Sequence, residues 1–204
     1  PAAMGSEEWS AQVDEIVEVL EGGGVVVLPT DTVYGLAALP SAAAAVDRVF
    51  ALKGRRADVP IAVLCASAAQ ALALAEPVPG VDQVAARFWP GPLTLVLPRR
   101  AGVHLHLGEP THTIGLRVPR HELIRAVAER VGPVATTSAN QHGSPTPPTA
   151  REAGASLVGD PDLVVDGGRL EASASTVVAA TGMPWTVLRA GPIDPDEVIA
   201  VGIG

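Results

Sequence analysis

A chain of 204 residues and 20.7 kDa suits one medium domain, and 48% hydrophobic against 18% charged residues supply a core, which excludes wholesale disorder. Fourteen Lys and Arg against 22 Asp and Glu leave a net charge of −8 and only 3% of residues are aromatic, so nucleic acid is disfavoured as the main partner. One cysteine, Cys65, forbids an internal disulfide and suits a reducing cytoplasm, while no apolar run reaches the ~18 residues of a membrane span and the first residues lack the basic-then-apolar order of a secretory leader.

Residues 1–6 carry no pattern and are expected to be disordered or foreign to the fold, which is taken as a single domain over residues 7–204. Trp9, Val13, Ile16, Val17 and Leu20 recur at helical spacing and predict a helix over 7–21. Gly22, Gly23 and Gly24 stop it, and the β-branched run 25–28 predicts a buried strand that Pro29 ends. Ser41 is placed as the cap of a helix that turns Val46, Val49 and Phe50 inward and ends near Lys53. Strands are expected at 61–65 and 93–97, with helices at 67–75 and 81–88 between them. A strand at 113–118 precedes a helix that Pro119 opens and that runs to Val131. The strand 134–137 leads into a loop rich in Ser, Pro and Thr, after which Thr149 and Glu152 have capping-box spacing. Strands at 163–165, 176–179 and 186–188 precede a last helix opened by Asp194-Pro195. Early alternation of helices and strands, followed by successive strands, predicts an α/β fold with a mixed, twisted sheet whose antiparallel part lies toward the end.

Polar chemistry collects at strand ends. Pro29-Thr30-Asp31-Thr32-Val33-Tyr34-Gly35-Leu36 places two threonine hydroxyls, a carboxylate and the only tyrosine on one turn, which suits either a small polar ligand or the backbone of a tight turn. Lys53-Gly54-Arg55-Arg56 sets three cations within four residues, an arrangement that a phosphate relieves and that helix capping also explains, most readily for Arg56. Trp89-Pro90-Gly91-Pro92-Leu93-Thr94 reads as a rigid corner with a structural role. Arg117 lies within an apolar strand and needs either an anionic ligand or a salt bridge. Ser138 and Asn140 sit where a strand gives way to a loop, and Ser175 and Arg189 occupy similar positions. His104 and His106 are expected on one strand face, turned to solvent rather than to a metal, since no third ligand is near. No Walker-type phosphate loop, dinucleotide glycine fingerprint or nucleophile elbow occurs.

In this order the turn at 29–36, Lys53-Gly54-Arg55, Trp89-Pro90-Gly91-Pro92-Leu93-Thr94, Gly115-Leu116-Arg117-Val118-Pro119, Thr137-Ser138-Ala139-Asn140 and Ser175-Thr176-Val177-Val178 resemble the YrdC-like family of threonylcarbamoyl-AMP synthases across residues 10–192. The resemblance implies a twisted open mixed sheet with flanking helices and a deep concave pocket. It implies that L-threonine, bicarbonate or carbon dioxide, and ATP with Mg²⁺ become L-threonylcarbamoyladenylate and pyrophosphate, with no metal held by the protein itself. A separate transferase complex would pass the group to tRNA, with direct tRNA binding by this chain disfavoured. Carried over by position, Lys53 and Arg55 would be catalytic and grip the triphosphate with Ser138, Asn140 and Arg189, while Thr30, Thr32, Tyr34, Arg117 and Ser175 would serve the threonine. Three positions depart from the family pattern: Arg56 for a frequent proline, His142 for a serine and Ala179 for an aspartate. Some relatives add a second domain after a linker, and none is expected before Gly204. The alternatives are a module that binds RNA or nucleotide without catalysis, and a relative that forms a carbamoyl adenylate.

Overall fold

The first apolar stripe folds as its spacing requires. In the structure, a computed structural model that describes residues 6–109, 112–171 and 173–204, the helix α1 (Ser6–Glu21) buries Val13, Ile16, Val17 and Leu20. Each such aliphatic side chain contributes about 2 kcal/mol when removed from water. Ser6 already belongs to this helix, one residue earlier than expected, while residues 1–5 of the tail set aside lie outside the described residues. Gly23 then adopts φ 80°, a conformation open to glycine, and the chain turns into the first strand.

Among the described residues nine strands form one sheet: β1 (Val26–Leu28), β2 (Gly35–Ala38), β3 (Ala62–Leu64), β4 (Leu93–Pro98), β5 (Thr113–Arg117), β6 (Val134–Ser138), β7 (Leu163–Val164), β8 (Thr176–Ala179) and β9 (Thr186–Arg189), in the spatial order β7-β1-β2-β6-β3-β5-β4-β8-β9. Parallel pairs (β1 with β7, β3 with β5, β4 with β8) alternate with antiparallel ones, so the sheet is mixed and open as expected. Antiparallel pairing is not confined to the end of the chain, because β1 and β2 already form an antiparallel pair. The strand β2 lies inside the segment expected to be only a polar turn: Gly35 and Leu36 leave the turn already paired with Ser138 and Thr137 of β6.

The period of two sorts side chains between the sheet's faces. Val27, Leu36, Val63, Leu95, Leu116 and Ala135 point to the face covered by α2 (Ala43–Lys53) and α4 (Val81–Phe88), where Val46, Val49, Phe50 and Val84 complete a core. Val26, Leu28, Ala37, Leu64 and Val134 point the other way and meet α1 and α5 (Glu122–Val131), which contributes Leu123, Ile124 and Val127. These two helices cover only part of that face. Gly35, Ala62, Gly115 and Val96, which share it, are left to floor a concavity.

Several local expectations are corrected. The helix α2 starts at Ala43 with Ala42, not Ser41, at its cap, because the Ala42 amide is turned back to the Leu39 carbonyl at 3.0 Å. The helix α5 starts at Glu122 rather than Pro119: the Val118 carbonyl accepts from the Gly91 amide at 2.8 Å, which keeps the chain extended past the proline. His104 and His106 are exposed but lie on no strand, since both edges of β4 and of β5 are already paired, and His106 Nε2 sits 3.0 Å from Asp47 Oδ1. The helix expected over 67–75 is shorter, α3 (Ala68–Leu72), with Ser67 as its cap, while Thr149 caps α6 (Ala150–Ala155) and Asp194 caps α7 (Pro195–Ile203) as read.

Candidate active site

The uncovered half of the sheet forms a cavity of about 360 Å³ that reaches from β2 to β8. Its floor is small because Gly35, Ala62 and Gly115 bring almost no side chain to it. At Gly35 the absence is obligatory, since a Cβ there would lie 2.7 Å from Thr136 Cγ2. At Gly115 it is not: the nearest atoms a Cβ would meet are Ala62 Cβ and Thr94 Cγ2, both at an ordinary 3.6 Å, and Ala62 Cα at 3.7 Å, so the missing side chain leaves space rather than relieving strain.

One wall is the turn after β1. Thr30 Oγ1 accepts from the amides of Thr32 at 3.1 Å and Val33 at 3.2 Å and donates to the Val33 carbonyl at 2.7 Å, so a single hydroxyl closes the turn. Thr32 is thereby held beside Arg117, whose Nη1 donates to Thr32 Oγ1 at 2.9 Å. The same guanidinium, only 6% exposed, pairs through Nη2 with Asp31 Oδ1 at 2.5 Å and through Nε with the Gly91 carbonyl at 3.2 Å. Burial draws the Arg117 pKa down and Asp31 opposes that shift. The corner 89–92 therefore has the structural role read from it, and Trp89 reinforces it by donating from Nε1 to the Leu93 carbonyl at 2.8 Å.

Arg55 and Ser138 line the cavity by β6, and Ser175 and Arg189 line it at the β8–β9 end of the sheet. Arg55 donates to Thr137 Oγ1 at 3.3 Å and to the Pro60 carbonyl at 3.1 Å, while its buried Nε has no partner among the described residues. Arg189 clasps Ser175 twice, from Nε to the carbonyl at 2.8 Å and from Nη2 to Oγ at 3.0 Å. Burial lowers the pKa of both arginines, yet a guanidinium stays charged. Three guanidiniums thus line the cavity and, among the described residues, no carboxylate does.

Seven of the ten candidate residues are brought together in this way: Thr30, Thr32, Arg55, Arg117, Ser138, Ser175 and Arg189. Three are not. Lys53 is 3% exposed and its ammonium is enclosed by the carbonyls of Ser138 at 2.5 Å and Asn140 at 3.1 Å, Asn140 Oδ1 at 2.9 Å and Ser138 Oγ at 3.1 Å. Asn140 spends its amide on the carbonyls of Gln141 and Ser144, so Lys53 and Asn140 brace the loop behind Ser138 instead of facing the cavity. Burial first, and then repulsion from Arg55, brings the Lys53 pKa down to about 8. Tyr34 is fully buried behind the turn, where its hydroxyl donates to the Gly168 carbonyl at 2.6 Å and accepts from the Gly167 amide at 3.0 Å. Arg56, by contrast, projects outward beside Asp58. Thr94 and Thr136 line the cavity but were not singled out as candidates from the sequence; only the strand register identifies the face on which they lie. No group of three or more His, Cys, Asp or Glu able to hold a metal occurs among the described residues.

Known proteins share this arrangement of sequence and fold. Residues 18–191 match the Sua5/YciO/YrdC family, described as "Telomere recombination". The chain is 36% identical over 195 residues to a threonylcarbamoyl-AMP synthase of Pyrococcus abyssi, covering 94% of this chain and 57% of that protein. It is 35% identical over 197 residues to a putative threonylcarbamoyl-AMP synthase of Mycobacterium tuberculosis, with 96% and 91% of the two chains covered. The crystal structure of P. abyssi Sua5 complexed with L-threonine superposes with a TM-score of 0.86 at 36% identity, over 94% of this chain and 57% of that one. With most of its length matched in sequence and in fold, this chain belongs to the Sua5/YciO/YrdC family.

Proposed function

We propose that the protein is an L-threonylcarbamoyladenylate synthase, which makes this adenylate and pyrophosphate from L-threonine, bicarbonate or carbon dioxide, and ATP. The observation that carries the reading is the charge of the cavity: three guanidiniums line it, of which Arg117 is paired with Asp31 while Arg55 and Arg189 have no carboxylate partner among the described residues, in a chain of net charge −8. Such a site favours a polyanion together with an amino acid's carboxylate. The names of the relatives and the threonine in the P. abyssi complex support it over the binding-module and carbamoyl-adenylate alternatives.

In this reading the threonine amine gives up its proton and adds to carbon dioxide, or to bicarbonate with loss of water, and the resulting carbamate oxygen attacks the α-phosphorus while the bond to the departing pyrophosphate breaks. Both partners are anionic, so the protein contributes position and positive charge rather than a nucleophile. Arg55, with Ser138, holds the polyphosphate, and magnesium arrives with the nucleotide as its complex. The Thr30–Thr32 turn and Arg117 form the amino-acid side, and Ser175 and Arg189 lie toward the junction of the two substrates. Lys53 and Asn140 serve by holding Ser138, and Tyr34 by fixing the turn from behind. The unstable adenylate requires a downstream transferase that carries the threonylcarbamoyl group to tRNA. Among the described residues no helix is long and apolar enough to cross a membrane, and we place the reaction in the cytoplasm, where ATP is supplied.

Incubation with ATP, Mg²⁺, bicarbonate and each amino acid in turn is expected to release pyrophosphate only with L-threonine and bicarbonate together. Release without threonine sinks the synthase reading. A second expectation follows from the floor of the cavity. Gly115→Val fits the strand at its Cβ but projects methyls into the ligand's space, so calorimetric titration should show ATP affinity reduced by more than ~10-fold, the effect of overfilling a packed site by 1–3 kcal/mol, with the thermal midpoint retained. Undiminished ATP binding by this variant shows that the nucleotide lies elsewhere.

A further inference from the structure

Thr94 lies at the start of β4, 6% exposed, and its Oγ1 is 2.9 Å from Ser175 Oγ. It has no other hydrogen-bond partner among the described residues, and its Cγ2 is turned toward Gly115, which fixes the hydroxyl toward Ser175. Ser175, 4% exposed, also accepts from Arg189 Nη2 at 3.0 Å, so three polar groups form a short chain from Arg189 through Ser175 to Thr94. Both hydroxyls and the guanidinium line the cavity.

The direction of the protons in this chain has a chemical consequence. A guanidinium only donates, so Ser175 Oγ receives one hydrogen from Arg189 and shares one more hydrogen with Thr94. If Thr94 donates, the Ser175 hydrogen has no protein acceptor; if Ser175 donates, the Thr94 hydrogen has none. In either arrangement one hydroxyl hydrogen is left over beside the cavity. It seeks an acceptor, and in a site charged like this one the acceptor is an anionic oxygen.

We propose that Thr94 is a positioning residue that acts through Ser175: the pair, oriented by Arg189, presents one hydroxyl hydrogen to an anionic oxygen of the bound amino acid or its carbamate. This rests on the synthase reading above, which places Ser175 and Arg189 toward the junction where the amino acid meets the nucleotide.

Pyrophosphate release by wild type, Thr94→Val and Thr94→Ser, with threonine varied at saturating ATP and bicarbonate, tests it. Valine keeps the shape and removes the hydroxyl, and serine keeps the hydroxyl and removes the methyl. The valine variant is expected to raise the KM for L-threonine about tenfold, because Ser175, freed from Thr94, no longer holds its hydroxyl in one orientation toward the ligand, with kcat within about threefold of wild type. The serine variant is expected to restore KM to within about threefold. A valine variant with wild-type KM overturns the proposal, as does an equal defect in both variants, which would mark Thr94 as packing only. Should valine prevent folding, Thr94→Ala makes the same comparison with serine. Wild-type protein that needs no threonine for release overturns the synthase reading and this inference with it, whereas wild-type dependence on threonine together with an unaffected valine variant overturns this inference alone.

Discussion

Arg55→Ala is expected to lower kcat/KM for pyrophosphate release at least ~10²-fold, as when a donor to developing transition-state charge is removed, while leaving the protein folded. The asymmetry follows from what the guanidinium touches. Its partners in the fold are two neutral oxygens, Thr137 Oγ1 and the Pro60 carbonyl, and no carboxylate pairs with it among the described residues. Those two bonds, of which the one to Pro60 is exposed, are worth about 1–2 kcal/mol each, and water can fill the space that the half-buried stem leaves. The positive charge, by contrast, is directed at a cavity with no carboxylate on its described lining, and its Nε is still unpartnered there. Arg55→Lys should recover only part of the loss, because a point charge cannot fork two phosphate oxygens. Steady-state pyrophosphate kinetics beside a thermal melt read both halves of the expectation. Wild-type rates in Arg55→Ala remove the phosphate assignment; a collapsed melting midpoint assigns the residue to the fold.

Lys53→Met should behave in the opposite way, losing stability and activity together. The ammonium is enclosed by four oxygens from Ser138 and Asn140 and pairs with no carboxylate among the described residues. Methionine fills the channel but leaves buried carbonyls without a donor, at a net cost of about 2 kcal/mol, or about 4–8 °C in the midpoint of a chain of this size. Released from its brace, Ser138 no longer faces the cavity in one orientation, and kcat/KM should fall by ~10²-fold, the scale set by misplacing a group that orients substrate. A variant with both the wild-type midpoint and the wild-type rate refutes the bracing role.

The same lysine predicts a pH dependence. Burial holds its pKa at about 8 in the folded protein, against 10.5 for an ordinary lysine. Between these values the unfolded chain binds a proton that the folded protein has released, so unfolding takes up a proton and stability rises with pH. Below pH 8 both states are protonated and the term is flat. Denaturant titrations of wild type and Lys53→Met at pH 7.5 and at higher pH should therefore show the wild type gaining stability relative to the variant above about pH 8. A gap that narrows with rising pH contradicts a lysine destabilised by burial.

Local chemistry determined a good deal of this protein from its sequence. The spacing of Val13, Ile16, Val17 and Leu20 suffices for α1, the bounds 81–88 of α4 are as read, and Thr149 and Asp194 cap the helices that follow them. Each of these features depends on residues within a turn or two of one another, so the information lies in one short window. The polar turn at 29–33 was legible for the same reason, since Thr30 closes it with its own hydroxyl. The carry-over by motif also picked out Arg117, Ser138, Ser175 and Arg189 at strand ends and Arg55 just past a helix end, all of which the cavity gathers.

Only the tertiary structure decided which way those groups point. Lys53 and Arg55 are two residues apart at the end of α2, but Gly54 has φ 60°, and the chain's reversal there sends the lysine into the Ser138–Asn140 loop and the arginine to the cavity. Thr94 follows a corner that reads as structural, and its place in the cavity depends on β4 lying between β5 and β8, strands drawn from distant parts of the sequence. β2 escaped notice because its four residues show no apolar alternation; it becomes a strand through pairing with β6, a hundred residues on. The physical reason is common to all three. Helix caps and turns are stabilised by neighbours in sequence, whereas strand pairing, the face a side chain occupies and the burial of a charge depend on segments far apart in the chain, which no local pattern specifies.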